Sequence, residues 1–422
     1  MFATIKQIFN PKNKDIQKRI LFTLACLFVF ILGKAIIVPG IDEYSLGVSQ
    51  LGFLELINVM GGGALGQFSI FALGVMPYIT ASIIIQILAM DIVPYLSELK
   101  KQGGTGRNQL NKITRITGIA LAFLQGYIYS FAFLGNAGTG ILNIDYLKFA
   151  LVLTAGTSLL LWIGDQITAK GIGNGISLII MAGIISSMPT MFATAFKELT
   201  SAGSFSGVLL FILYVVVYVG IILGVVYVEG AERRINVQYA NKSNSTFGGR
   251  QNYIPFKLNS SGVMPVIFAS ALISIPSFIA SFIKKEGFTN FVNQYLAMDS
   301  PVGFSLYIIL IFVFAYFYTF MQIKPSEMSE NLNKNGGYIP GIRPGKDTAN
   351  YISDVIGKIT IVGALFLAIL AGLPVIFGLF SGLSSSVTIG GTGLLIVVGV
   401  ALETYKQLES QLQSRSYRKG RR

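Results

Sequence analysis

The residues that could do chemistry are few, and they are not grouped as chemistry requires. The 422-residue chain contains no histidine and a single cysteine, Cys26. Histidine metal sites and histidine acid–base catalysis are therefore excluded. Cys26 lies inside an apolar run and has no internal disulfide partner, so it reads as a packing residue. Gly171-Ile172-Gly173-Asn174-Gly175-Ile176-Ser177 has the glycine content of a phosphate loop. No strand precedes it and no Gly-Lys-Ser/Thr follows, so that reading is rejected. Its glycines instead suit a tight turn and close helix contact, with Ile176 and Ile180 on one helix face. Asp91, Asp165, Lys358 and Glu403 fall near the ends of apolar runs, as does Lys34, which can snorkel to the interface. No carboxylate pair, metal cluster or activated nucleophile emerges, so neither an enzyme active site nor a cofactor is expected.

The elements that must carry these residues are membrane spans. The chain is 53% hydrophobic and 12% charged, about half the charge of a soluble domain. Runs long enough to span fall at 20–38, 71–92, 115–135, 149–167, 174–193, 207–228, 261–283, 304–323, 355–378 and 387–405. The expected fold is an all-α polytopic membrane protein with ten transmembrane helices. The segment 1–19 is polar and basic, and the first run is a full span, so it reads as a retained anchor. An even number of spans puts both termini on one side. Placing them in the cytoplasm leaves only Lys34, Lys148, Lys197, Lys284 and Lys285 of the 32 Lys and Arg outside, as the positive-inside rule demands.

Within this frame the second run is unusual. Pro77 predicts a kink near Leu73 and Gly74, close to the helix start. Thr80, Ser82 and Gln86 give it a polar edge, while Val75 and Ile79 share an apolar line. Before it, 53–66 has too short an apolar part to span. Gly61, Gly62, Gly63 and Gly66 prevent it from fusing rigidly with the next helix, so it reads as a short re-entrant or external helix on a hinge. The seventh run opens at Asn259, carries Pro265 and Pro276, and has Ile267 near its middle.

The polar stretch 196–206 divides the spans into a first half, 20–195, and a second half, 207–405. Five and five invites an inverted repeat. Two large cytoplasmic loops follow. The first, 229–259, carries Arg233, Arg234 and Lys257. The second, 324–350, holds Gly341-Ile342-Arg343-Pro344-Gly345, a stiff turn presenting a cation. The basic tail 406–422 is expected to be disordered. Ion-coupled carriers keep charges near the membrane midplane, and none is found here. That favours a gated conduit for something other than a small ion, with an ion-coupled secondary transporter as the alternative.

These residues carry a resemblance over essentially the whole chain. Gly61-Gly62-Gly63-Ala64-Leu65, Ile70-Phe71-Ala72-Leu73-Gly74 through Gln86, Gly171 to Ser177, Gly341 to Gly345, and Gly390 to Val398 resemble the motifs of the SecY/Sec61-alpha family. Its bacterial members are channel subunits of the Sec protein translocon. The resemblance implies a clam-shell of two pseudo-symmetric halves in the bacterial cytoplasmic membrane, passing unfolded secretory polypeptides and releasing transmembrane segments sideways into the lipid bilayer. It implies a pore ring of Val75, Ile79, Ile176, Ile180, Ile267 and Ile396. It also implies a plug within 53–66 that includes Leu54, Leu56, Ile57, Asn58, Val59, Met60 and Gly61. The second and seventh spans become a lateral gate with a polar cluster of Thr80, Gln86 and Asn259. The implied partners are the small subunits SecE and SecG, the SecA ATPase, the ribosome, signal peptides and nascent chains. Arg343 is the leading contact for SecA or ribosome, ahead of Arg233, Arg234 and Lys257. The chain departs from the family at Arg107-Asn108-Gln109, where a double arginine is common, and at Ile31, where an arginine is common. Its 241–246 stretch is also less basic than expected.

Overall fold

The computed structural model describes residues 14–39, 58–59, 61–90, 92–134, 144–200, 205–239, 253–283, 286–296, 300–381 and 385–419. It divides into two compact units, one of Met1–Thr194 with Glu403–Arg422 and one of Ala195–Leu402. The first unit contains α1 (Lys14–Lys34), α2 (Met76–Leu88), α3 (Pro94–Lys101), α4 (Gly104–Leu134), α5 (Ile144–Lys170) and most of α6 (Gly175–Thr200). The second contains α7 (Phe205–Gly230), β1 (Glu232–Asn236), β2 (Gln238–Tyr239), β3 (Tyr253–Lys257), α8 (Met264–Ile283) and α9 (Glu286–Phe291). It continues through a π-helical turn at Val292–Leu296 to α10 (Pro301–Gln322), α11 (Pro325–Lys334), β4 (Gly337–Tyr338), α12 (Lys346–Ser381) and the first part of α13 (Ser385–Lys419).

Each expected apolar run overlaps one of these helices. Among the described residues, six helical stretches are long and apolar enough to cross a membrane: Lys14–Lys34, Ile144–Lys170, Gly175–Thr200, Phe205–Gly230, Pro301–Lys334 and Lys346–Gly378. Local chemistry explains where they start. Ser300 caps α10 by accepting from the Gly303 N–H at 3.0 Å, and Pro301 takes the first helical position, where its missing donor costs nothing. Asn174 Oδ1 accepts from the N–H of Ile176 at 3.1 Å, and so caps α6 in the same way.

Glycines set how closely the helices of the first unit pack. A Cβ at Gly118 would lie 3.2 Å from the Tyr78 Cα, bringing α4 against α2, and a Cβ at Gly126 would lie 3.4 Å from the Ala150 Cα, bringing α4 against α5. A Cβ at Gly156 would lie 2.0 Å from the Ile70 carbonyl oxygen, so α5 reaches the chain ahead of α2 only because this residue has no side chain. In the second unit α8, α10 and α12 pack side by side, and the Phe268 ring stacks on Tyr318 with centroids 4.9 Å apart.

Four expectations need correction. The second run is not one continuous kinked helix: residues 70–75 form turns, and α2 is only 13 residues long, about 20 Å at 1.5 Å per residue. Pro77 stands at the helix N-terminus rather than inside it, where it starts a helix instead of bending one. The chain is not purely α-helical, since β1 pairs with β3 and β2 with β4, both antiparallel. The polar divider 196–206 carries helix on both sides of residues 201–204, since α6 continues to Thr200 and α7 begins at Phe205. Nor is the tail disordered through 419. α13 runs to Lys419, and Leu408 and Leu412 are buried with Ile16 and Ile172, apolar contacts that hold the helix where composition predicted none.

Candidate functional site

Among the described residues ahead of α2, 61–75 form a run of turns that is tied back to the end of α1. Leaving α1, Val38 N–H donates to the Phe68 carbonyl at 3.0 Å and Ile70 N–H donates to the Ile36 carbonyl at 3.0 Å, forming a bridge between Ile37 and Ser69. Phe68 has φ +48 although it is not glycine. This left-handed geometry is costly for a side chain and is held by its complete burial. Upstream, Gly62 and Gly63 have φ +74 and +87, a left-handed turn that glycine adopts without side-chain cost. Asn58 staples the turn, its Oδ1 accepting from Gly66 N–H at 2.8 Å and its carbonyl from Gly63 N–H at 2.7 Å. Of the seven candidate plug residues, Asn58, Val59 and Gly61 lie here, whereas Leu54, Leu56, Ile57 and Met60 lie outside the described residues.

The turns end on the candidate ring. Val75 is the residue before α2, and the Ile79 N–H donates to its carbonyl at 3.1 Å. Within the first unit, Val75, Ile79 and Ile180 are buried and Ile176 is half-buried. Ile176 borders a cavity of about 180 Å³ with Tyr78, Asn111, Lys112, Arg115, Leu161 and Asp165. The Gly171–Ser177 turn that delivers Ile176 is fixed to α1 by the Ile172 N–H, which donates to Thr23 Oγ1 at 3.1 Å. Gly175 lies against the Gly164 backbone with no room for a Cβ. In the second unit Ile267 on α8 and Ile396 on α13 are buried, and Gly399 on α13 lies against Val263, the residue before α8.

Each residue of the expected gate cluster has a hydrogen-bond partner within its own unit. Thr80 Oγ1 donates to the Met76 carbonyl at 3.1 Å, and Gln86 Nε2 donates to Ser82 Oγ at 3.0 Å. Asn259 Nδ2 donates to Glu229 Oε1 at 2.8 Å, and Ser261 Oγ donates to Asn259 Oδ1 at 3.2 Å. Glu229 carries no weight in a sequence reading, since nothing local links it to a residue 30 positions on.

The described parts of loops 229–259 and 324–350 share one apolar core. Ile235 and Val237 from the first meet Leu332, Ile339, Ile352 and Ile356 from around the second, with Phe256 between. Above it the glycine-proline turn is rigid. Gly341 and Gly345 have φ +82 and +102, Ser329 Oγ donates to the Gly345 carbonyl at 2.6 Å, and Thr348 Oγ1 donates to the Arg343 carbonyl at 2.8 Å. Arg343 is exposed at its tip. Arg233 and Lys257 are exposed as well, and Lys257 faces Glu232 across the β1–β3 pair. Arg234 is engaged locally, paired with Glu232 at 2.7 Å and placed 4.7 Å from the Tyr253 ring centroid. The hydrogen bond to Glu232 holds its guanidinium above the ordinary arginine pKa.

Two charged features went unread in the sequence. Asp165 forms an ion pair with Arg115, joining α5 to α4. Lys34 has partners inside the unit: its ammonium donates to the Gly62 carbonyl and to Ser186 Oγ. The only sequence signal was a cation ending an apolar run just ahead of a glycine cluster.

Comparison with known proteins decides the family. The SecY family model matches residues 69–405. The chain belongs to the SecY family. The protein translocase subunit SecY of Bacillus subtilis is 46% identical, with 99% of each chain covered. That of Bacillus licheniformis is 45% identical with the same coverage. Among solved structures, a protein-conducting channel superposes with TM-score 0.63 at 20% identity, covering 94% of this chain and 92% of its own. A SecY structure concerned with the plug domain that stabilises the closed channel gives TM-score 0.64 at 20% identity and the same coverage. Sec61 in the canine ribosome–channel complex gives 0.62 at 19% identity, again with 94% and 92% covered. As a SecY-family member the chain is a protein-translocation channel subunit and not an enzyme. Nothing in these relationships supports the ion-coupled transporter.

Proposed function

We propose that this channel conducts unfolded secretory polypeptides through a waist formed by Val75, Ile79, Ile176, Ile180, Ile267 and Ile396. The ten apolar runs cross the bacterial cytoplasmic membrane in two inverted halves with both termini inside. Residues 53–66 close the waist from outside, and α2 and α8 open sideways to release transmembrane segments into lipid. The observation that carries this reading is one continuous stretch of the first unit. The glycine turn at Gly61–Gly63, the pinned connector at Ser69 and the buried aliphatic pair Val75 and Ile79 follow one another directly. A moving segment and a seal would thus be mechanically joined. Aliphatic tips exclude ions by dewetting and make no directional bonds, so they can yield around a passing chain.

At the cytoplasmic face, the rigid turn under Arg343, with Arg233, Arg234 and Lys257, is the proposed seat for the SecA motor or the ribosome. Exposed cations on a stiff base suit acidic or ribonucleic surfaces. The small subunits SecE and SecG are the expected membrane partners, and signal peptides the expected gate ligand. Thr80, Gln86 and Asn259 edge the gate, now with the local hydrogen bonds described above. Such bonds are worth about 0.6 kcal/mol each in membranes, so a signal helix burying apolar surface can overcome them.

The test uses the complex purified from native membranes and placed in proteoliposomes with its ATP-driven motor. A secretory preprotein should become protected from external protease. A covalent bridge from α2 near Thr80 to α8 near Ser270 should abolish that protection. Unchanged protection in the bridged channel would contradict the gate.

A further inference from the structure

We infer that Lys34 is the positioning residue for the hinge of the pore-closing segment, an ammonium latch whose release lets that segment leave. The inference rests on the reading of 53–66 as the closing segment. Three observations, all within the first unit, meet at one point.

Gly62 is in the left-handed region, which turns its carbonyl out of the local hydrogen-bond pattern. Its backbone also lies so close to α6 that a Cβ would come 2.9 Å from the Gly183 carbonyl oxygen. A carbonyl packed this closely against a helix needs a donor. Lys34 Nζ supplies one, at 2.6 Å.

The same ammonium donates to Ser186 Oγ, three residues after Gly183 and so on the same face of α6. Lys34 is half-buried in the last turn of α1, where the helix dipole favours a cation. One charge thus ties the end of α1, the hinge carbonyl and the middle of α6 together. One residue further along α6, Ser187 Oγ lies 3.4 Å from the Val59 carbonyl, a second and weaker hold on the same segment.

A charge-assisted hydrogen bond is stronger than a neutral one, yet its loss leaves the helices themselves intact. The latch therefore sets how readily the hinge lets go rather than whether the protein folds. Arginine, also a cation with several donors, should substitute for lysine, whereas a neutral side chain of similar length should not.

The test measures hinge release directly. In the complex from native membranes, Cys26→Ser removes the native thiol and Val59→Cys places a reporter on the segment. Labelling by a membrane-impermeant maleimide from the outer side is then timed in resting channels. Lys34→Met should speed labelling about five- to tenfold, Ser186→Ala should speed it less, and Lys34→Arg should restore the slow rate. Ser186→Ala leaves the cation in place and so guards against a Lys34→Met protein that fails to assemble. Equal labelling rates in Lys34→Met, Ser186→Ala and the parent would overturn the latch. Ion conductance recorded on the same proteins separates the two readings. Faster labelling with no added leak supports Lys34 as the hinge latch and removes 53–66 as the seal.

Discussion

Asn259 donates its side-chain N–H to Glu229 at 2.8 Å, clasping the end of α7 to the residues that lead into α8. Both lie at the base of the 229–259 loop, 30 positions apart in sequence. A residue proposed for gating is therefore also a structural clasp in its own unit. The two roles separate by charge.

Asn259→Ala leaves Glu229 short of one donor and should lower the stability of the protein by about 1–2 kcal/mol. Asn259→Asp sets a second carboxylate against Glu229 and should cost more. Thermal unfolding of the purified complex at neutral pH should rank parent, Ala, then Asp. The Asp variant should recover as pH falls, because protonating one of the two acids removes the repulsion. An Asp variant as stable as the parent would show that the clasp contributes nothing.

Close backbone approach predicts a second asymmetry. Gly156→Ala must push α5 away from the Ile70 carbonyl, since its Cβ would otherwise sit 2.0 Å from that oxygen. Overpacking of this kind costs about 1–3 kcal/mol, and expression and melting temperature should both fall. Gly220→Ala, on α7 with nothing within 4 Å of its Cβ, should be neutral or slightly stabilising. Similar behaviour of the two variants would contradict the packing described for α5.

Arg343→Glu tests the cytoplasmic seat. The turn is held by Ser329, Thr348 and the two left-handed glycines, none of which uses the guanidinium, so membrane insertion and abundance should be unchanged. Motor-driven export in proteoliposomes should fall about tenfold or more, as charge reversal at a docking surface does. Undiminished export would remove Arg343 from that surface. Arg234→Glu should do less through partner contact, because its guanidinium is already paired with Glu232.

What sequence alone reveals here tracks how local the cause is. Long apolar runs such as α7 need only burial in lipid, and the Gly171–Ser177 turn is signalled by its own glycines, so both are legible. Pro77 was misread because proline either breaks or begins a helix, and the choice depends on where the preceding turns end. The tail's order depends on Ile16 and Ile172 meeting Leu408 and Leu412, contacts between residues hundreds of positions apart in the chain. The β2–β4 pair likewise joins Gln238 to Tyr338 across two loops. Lys34 looked like an interfacial lysine because Gly62 and Ser186 become its neighbours only once α1, the hinge and α6 have packed.

The central claim is that aliphatic side chains at the waist keep the resting channel tight, and single-channel recording in planar bilayers addresses it most directly. The complex carrying Ile79→Gly, Ile180→Gly and Ile396→Gly should conduct ions with no substrate present, whereas the parent should stay silent. A triple variant as silent as the parent would contradict the account.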